Sequence, residues 1–158
     1  MNRIKKILCP VDFSEISDEA LEMAVQLAEK NASLLNLIYV LPRPNFYDWT
    51  LTGMSNVVLD DYFVQTKKEI EAKMKGLVQL LQKSHPFLEV KYIISDKMDA
   101  ATAIVDIAKE IKSDLIILGS HGRRGMNRVL MGSVAESVMR HAGCAVMIYK
   151  SKAMAKKK

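Results

Sequence analysis

Short apolar segments and longer amphipathic segments alternate along most of this chain. In the amphipathic segments apolar residues recur every three or four positions, which is typical of helices with one buried face. The short segments are rich in Ile, Leu and Val, which is typical of strands buried in a sheet. These strands are expected at residues 4–11, 34–41, 89–95, 115–118 and 145–149. The helices are expected at residues 17–31, 60–83, from the cap residue 99 to 111, and 133–141.

The alternation predicts an α/β fold with a single doubly wound five-stranded parallel sheet and helices on both faces. With a strand order of 3-2-1-4-5, the order reverses between the first and fourth strands. Ligands of such sheets bind beyond the carboxyl ends of the strands, at the reversal. Asp12, Val40 and Gly119 stand at the carboxyl ends of strands one, two and four. We therefore expect a ligand site that includes all three.

Glycines cluster after the fourth strand. Gly119, Gly122 and Gly125 follow that strand, and Gly132-Ser133 precedes the last helix. Ser133, with Glu136 three residues later, has the spacing of a capping box. The amides of a glycine loop and of a helix N-terminus together form a good phosphate site. Taken singly, glycines after a strand are more often ordinary turn residues, and Gly-Ser before a helix is more often an ordinary cap.

Two common phosphate motifs do not match this segment. No Gly-Lys-Ser/Thr follows the glycines, so it is not a Walker loop. The spacing Gly-x-x-Gly-x-x-Gly after a late strand also differs from the dinucleotide fingerprint, which follows the first strand.

The arrangement Gly119-x2-Gly122-x9-Gly132-Ser133 resembles the nucleotide-binding pattern of the universal stress protein family, in its ATP-binding branch. The opening segment 6–14 is similar to that family's first strand and turn, and segment 144–149 to its last strand. The resemblance extends from about Ile4 to Lys150, and it implies a nucleotide-binding domain over residues 1–150. The remaining residues, 151–158, are expected to form a disordered basic tail.

The resemblance implies that ATP is bound with Mg²⁺, which would be held through phosphates and water. Asp12 would lie at the nucleoside, where its carboxylate can accept hydrogen bonds from ribose hydroxyls; a turn or cap role is the alternative. Pro10, Val11 and Val40 would supply apolar walls and backbone contacts for adenine. The phosphate side would comprise Gly119, Ser120, His121, Gly122, Arg123, Arg124, Gly125, Gly132, Ser133, Val134 and Ala135.

The same resemblance implies a cytoplasmic, homodimeric regulatory module of the stress response with slow or no ATP hydrolysis. Pairing of the last strand, Ala145–Tyr149, with its copy would cover an open sheet edge. No residue is assigned as catalytic. One alternative is an ATP-hydrolysing or adenylyl-transferring enzyme that uses His121 or Asp12. Another is a nucleotide-free dimeric scaffold that recruits partners through the aromatic loop 42–59. The pathway and any regulatory protein partners are not indicated.

Composition limits the other classes of function. The net charge is +5, and three of those charges lie in the terminal lysines 156–158, so nucleic acid is not an expected partner.

The apolar run after the basic start ends at Pro10 and is too short for a signal core or a membrane span. Cys9 and Cys144 stand far apart in predicted strands and form no Cys-x-x-Cys motif. Buried reduced thiols in a cytoplasmic protein are therefore expected.

Overall fold

Five strands and four helices alternate in the computed structural model, which describes residues 3–41, 56–97, 99–121 and 131–150. The strands are β1 (Lys6–Pro10), β2 (Leu34–Val40), β3 (Val90–Ser95), β4 (Leu115–Gly119) and β5 (Ala145–Tyr149). The helices are α1 (Glu15–Asn31), α2 (Asn56–Ser84), α3 (Ala100–Glu110) and α4 (Ser133–His141). Parts of two predicted features, the aromatic loop and the glycine loop, lie outside the described residues, as does the basic tail.

The strands form one parallel sheet in the order β3-β2-β1-β4-β5, which confirms the predicted fold. β1 lies at its centre, where Ile7 is paired with Leu35 on β2 and with Leu115 on β4. The chain moves outward from β1 to β2 and β3, then crosses back to β4 and β5 on the other side. The reversal between β1 and β4 is the switch point of a doubly wound sheet.

Each face of the sheet is covered by two helices. Ile7 on β1 faces the core beneath α1 and α2, whereas the adjacent Leu8 faces the core beneath α3 and α4. Both side chains are fully buried, and each such burial contributes roughly 1.5–3 kcal/mol to folding. Apolar side chains on both faces explain why the strand sequences are nearly continuous in hydrophobicity.

Side-chain caps determine where two of the helices begin. α1 starts two residues before the predicted Ser17, because the Ser14 hydroxyl accepts a hydrogen bond from the Ser17 amide at 3.3 Å. Asp99 caps α3 as predicted and accepts hydrogen bonds from the amide (2.7 Å) and hydroxyl (2.6 Å) of Thr102. These bonds lower the pKa of the Asp99 carboxyl.

The two cysteines are unpaired and lie in different environments. Cys9 is fully buried in β1, and burial raises the pKa of its thiol to about 12, so the thiol stays protonated and unreactive. Cys144 is only half-buried and immediately precedes β5, so the predicted strand position is wrong for this residue and its burial is partial. Within the described parts of the chain, no helix has the length and apolarity to cross a membrane.

Candidate functional site

The predicted site lies where β1 and β4 end side by side at the switch point. β1 ends at Pro10 and β4 at Gly119, and the two strands are hydrogen-bonded neighbours. The chain continues from β1 into α1 on one face and from β4 towards α4 on the other. In a doubly wound sheet, the segments that follow such a pair of strands diverge and border a crevice at the carboxyl edge.

A hydrogen bond closes the base of the segment between β4 and α4. The amide of Gly132 donates to the carbonyl oxygen of Ser120 at 2.8 Å, and the amide of Ser120 donates to the carbonyl oxygen of Tyr149 at 2.8 Å. Ser120 is only 1% exposed, and its hydroxyl lies 3.0 Å from Nδ1 of His121. Ser120 thus fixes the end of β4 against both β5 and the start of α4.

Two glycines allow this close packing. A Cβ on Gly132 would lie 3.1 Å from the carbonyl oxygen of Ser120, and a Cβ on Gly119 would lie 3.2 Å from that of His121. The Gly119 Cβ would also lie 3.2 Å from Cγ2 of Ile16, in the first turn of α1. Each contact is tighter than most real Cβ contacts, so a side chain at either position would require its neighbours to shift by a few tenths of an ångström.

Two helix N-termini face this region, and they differ in how their amides are satisfied. α1 is capped by Ser14 and has Glu15 and Asp18 in its first turn. α4 has Gly132 as its N-cap and no side-chain cap among the described residues. The predicted capping box at Ser133 is therefore wrong: Ser133 is the first helical residue, and Glu136 pairs with Arg140 at 2.7 Å. Backbone contact with Ser120 places Gly132, not Ser133, at the N-cap.

The start of α4, which has no side-chain cap among the described residues, is better suited to an anion than the start of α1. The first amides of any helix lack partners within the helix, and the macrodipole favours negative charge there. Ser133 and Val134 are exposed, whereas Ala135 is 2% exposed and packs in the core. The predicted contribution of Ala135 is therefore restricted to its amide.

Asp12 lies at the opposite side of the crevice, in a tight turn after β1. Its Oδ1 accepts hydrogen bonds from the amide (3.0 Å) and hydroxyl (2.6 Å) of Ser14, and its own amide donates to Oγ of Ser17 at 3.1 Å. The turn role considered from sequence is thus present. These bonds also hold the carboxylate in one orientation, as a ribose-binding group requires.

Negative charge is concentrated on the Asp12 side. The pKa of Asp18 is raised by partial burial and by the charges of Asp12 and Glu22. Phosphates would therefore be repelled from α1 and favoured at α4, while hydroxyl groups would suit Asp12. The distribution of charge therefore favours one orientation of a nucleotide, with its phosphates at α4 and its hydroxyl groups at Asp12.

The predicted adenine walls differ in accessibility. Pro10 and Val40 are half-buried and lie at the ends of β1 and β2. Val11 is 5% exposed, packs in the core under α1 and α2, and donates its amide to the carbonyl oxygen of Ile38 at 2.9 Å. Its side chain is mainly a core residue, so a ligand would meet chiefly its backbone.

Four predicted phosphate-side residues lie outside the described part of the chain: Gly122, Arg123, Arg124 and Gly125. Their roles stay predictions. In the described part no group of three or more His, Cys, Asp or Glu side chains could hold a metal ion.

Sequence reasoning missed three residues that shape the crevice. Tyr149 anchors Ser120 through its carbonyl oxygen, and Ile16 packs on Gly119. Phe13, between Asp12 and Ser14, has a φ of 59°. The Asp-x-Ser spacing was the only local signal for the turn around Phe13, since this spacing is typical of a side-chain turn. The contacts of Tyr149 and Ile16 join distant segments, so no local pattern indicates them.

The fold places this protein in the class of doubly wound parallel α/β domains, whose ligand sites lie at the switch point. More specifically, the chain belongs to the universal stress protein family: the model of the "Universal stress protein family" matches residues 3–150.

Similarity to individual members extends over nearly the whole chain. Universal stress protein Sll1388 of Synechocystis is 29% identical over 151 residues, which cover 90% of this chain and 96% of that protein. The solved structure of universal stress protein UspA from Lactobacillus plantarum has a TM-score of 0.79 and 26% identity, covering 94% of this chain and 99% of that one.

Two structures with the same fold were solved with adenine nucleotides. One is a universal stress protein in complex with cAMP, with 18% identity, a TM-score of 0.67, and coverage of 94% of this chain and 98% of that one. The other is the universal stress protein from Archaeoglobus fulgidus in complex with dAMP, with 20% identity, a TM-score of 0.59 and the same coverage of both chains.

Proposed function

We propose that this protein binds ATP, as Mg-ATP, in the crevice between β1 and β4. The observation that supports this most directly is the contrast between the two helix starts. α1 is capped by Ser14 and surrounded by acids, whereas α4 begins with Gly132, without a side-chain cap among the described residues. An anionic ligand therefore has one favoured position, at α4.

The phosphate side would be formed mainly by backbone. Ser120 and Gly132 are hydrogen-bonded at 2.8 Å, so the end of β4 and the start of α4 form one rigid edge. The amides of Ser133 and Val134 extend from that edge at the helix N-terminus. Arg123 and Arg124 would add charge-assisted bonds to the β- and γ-phosphates.

The nucleoside side would be formed by β1 and β2. Asp12 would accept hydrogen bonds from the ribose hydroxyls, and the half-buried Pro10 and Val40 would contact adenine. The cAMP and dAMP complexes of proteins with this fold support an adenine nucleotide as the ligand class.

Mg²⁺ would be held by phosphate oxygens and water. Among the described residues, no group of three or more His, Cys, Asp or Glu side chains is arranged to hold a metal ion. Magnesium commonly binds proteins through few carboxylates together with substrate phosphates. When bound, the ion would neutralise phosphate charge. This chain's own residues would orient the nucleotide.

We further propose a cytoplasmic homodimer that acts as a regulatory module in the stress response, with slow or no ATP hydrolysis. β5 is the last strand of the sheet, and Ala145 and Met147 on it are exposed. Pairing with a second copy would satisfy the open backbone groups of this edge.

The test is calorimetric titration of the purified protein with Mg-ATP and with Mg-GTP, after native mass spectrometry to detect any retained nucleotide. We expect one ATP per chain, and weaker binding when Mg²⁺ is removed with EDTA. Absence of binding for both nucleotides would overturn the proposal and favour the nucleotide-free scaffold.

Enzymatic turnover is the second candidate, and one observation favours testing it. Nδ1 of His121 lies 3.0 Å from the Ser120 hydroxyl, which fixes the ring at the edge of the crevice. Phosphate release should be measured for the wild type and for His121→Ala. A rate that falls sharply in the variant, with ATP binding retained, would identify an ATPase; an unchanged low rate would favour a binding module.

A further inference from the structure

The backbone conformation of Phe13 is unusual for an aromatic residue. Its φ is 59°, in the left-handed region that L-residues with a large side chain rarely adopt. Ala32 and Lys112 also have positive φ, but both follow helix C-termini, where this conformation is common. Phe13 instead precedes a helix, between Asp12 and Ser14. Its strain is therefore not explained by a helix end.

The conformation of Phe13 determines the turn that holds Asp12. Oδ1 of Asp12 reaches across Phe13 to the amide of Ser14 at 3.0 Å and to its hydroxyl at 2.6 Å. If the φ of Phe13 moved to a negative value, the Ser14 amide would point elsewhere and the carboxylate would lose these partners. The orientation of Asp12 thus depends on a strained neighbour.

Packing from two other elements keeps Phe13 in place. Its ring is partly buried against the core under α1 and α2. The ring centroid lies 5.7 Å from that of Tyr39 on β2, with an interplanar angle of 34°. Nζ of Lys73 on α2 lies 5.8 Å from the same centroid, within the range of a cation–π interaction. Strain of this kind persists only where surrounding structure enforces it, and it is common at ligand sites.

We propose that Phe13 is a positioning residue for ribose recognition: held by Tyr39 and Lys73, it fixes the Asp12 carboxylate towards the ribose hydroxyls of the nucleotide. This inference rests on the proposed function and adds to it a determinant of specificity. Phe13 itself need not touch the ligand.

The test compares Mg-ATP with Mg-2′,3′-dideoxyATP, which lacks both ribose hydroxyls, by calorimetric titration of the wild type and Phe13→Gly. Glycine removes the ring and adopts positive and negative φ about equally, so packing no longer holds the backbone of residue 13 in the left-handed region. We expect ATP binding to weaken about tenfold in the variant, because this is the effect of losing one hydrogen bond to a charged group. Dideoxy-ATP binding should change less than about twofold. Phe13→Tyr, which keeps the ring, should retain wild-type values for both.

Two control variants separate positioning from general stability. Lys112→Gly relieves a left-handed residue far from the crevice, and Phe63→Leu alters another partly buried aromatic packed on the same core. Both should leave the ratio of the two dissociation constants unchanged. If Phe13→Gly does not fold, Lys73→Met removes only the cation above the ring. It should weaken ATP binding about two- to threefold with no change for dideoxy-ATP.

The outcomes that contradict the inference are distinct from failure of the proposed function. Equal weakening of both nucleotides by Phe13→Gly, or no weakening of either, would overturn the positioning role while leaving ATP binding intact. If the wild type binds ATP and dideoxy-ATP equally, Asp12 does not recognise the ribose hydroxyls, and the inference is overturned. A wild type that binds neither nucleotide would overturn the proposed function and the inference together.

Discussion

The amide of Gly132 donates a hydrogen bond to the carbonyl oxygen of Ser120 at 2.8 Å, across a gap of twelve positions in the sequence. This contact joins the end of β4 to the start of α4. A side chain at this position would be crowded, because a Cβ on Gly132 would lie 3.1 Å from that same oxygen.

Gly132→Ala should therefore weaken both the fold and the proposed ATP site. We expect a loss of about 1 kcal/mol in the free energy of unfolding and an affinity for Mg-ATP reduced by about fivefold or more, because the start of α4 must shift. Urea unfolding and calorimetric titration measure the two effects. Gly143→Ala is the matched control, since a Cβ there meets no atom within 4 Å. Equal behaviour of the two variants would contradict this role of Gly132.

Asp114 should contribute to stability in a pH-dependent way. Its Oδ2 accepts hydrogen bonds from the amides of Lys5 (2.8 Å) and Lys6 (2.9 Å), and these bonds hold the pKa of the carboxyl below its usual value. Because the pKa is lower in the folded state, the contribution is full above the unfolded value of about 3.9 and is lost as the pH falls through the folded pKa.

Asp114→Asn should accordingly cost about 1 kcal/mol at pH 7, a small value because the carboxylate is exposed. The difference from the wild type should shrink below about pH 4. Denaturant unfolding of the wild type and the variant between about pH 3 and pH 7 measures this difference in the free energy of unfolding. Asp106→Asn, which removes an exposed ion pair with Lys97, is the control and should cost less. A pH-independent difference for Asp114→Asn would contradict the assignment.

Asn36→Leu should stabilise the protein by about 1 kcal/mol. Asn36 is 5% exposed on β2, and its Nδ2 has no hydrogen-bond partner among the described residues. Leucine has a similar size and removes the unsatisfied donor. Urea unfolding measures the change. The control is Asn31→Leu, because Nδ2 of Asn31 donates to the carbonyl oxygen of Leu27 at 2.8 Å and its loss should bring no gain. A destabilised Asn36→Leu would show that the amide has a structural role.

Met147→Asp should disrupt the proposed homodimer. Met147 is 38% exposed on β5, and a charge on an edge strand opposes pairing with a second copy. Sedimentation velocity should show a dimer for the wild type and at least a tenfold weaker association for the variant, roughly 1.4 kcal/mol. Phe87→Asp, an exposed position close to β3 at the opposite edge, should remain dimeric. A monomeric wild type would exclude this interface.

Local signals in the sequence were sufficient for the elements and their order. The apolar run Leu115–Gly119 and the cap Asp99 have causes within a few residues, namely burial on both faces and a side chain that reaches the next turn. The errors occurred where a distant contact decided the outcome. The helix bounds 133–141 were predicted correctly, but the cap was not: the N-cap is Gly132, whose amide is hydrogen-bonded to Ser120, and not Ser133.

The sequence by itself therefore determined a doubly wound parallel sheet and the family, because hydrophobic period and motif spacing are properties of neighbouring residues. Only the tertiary structure decided which predicted site residues face outward: it buried the Val11 and Ala135 side chains and left Ser133 exposed. It also revealed the strained Phe13 beside Asp12, held by Tyr39 and Lys73 from other elements. Packing between distant segments sets these features, and no local pattern encodes them.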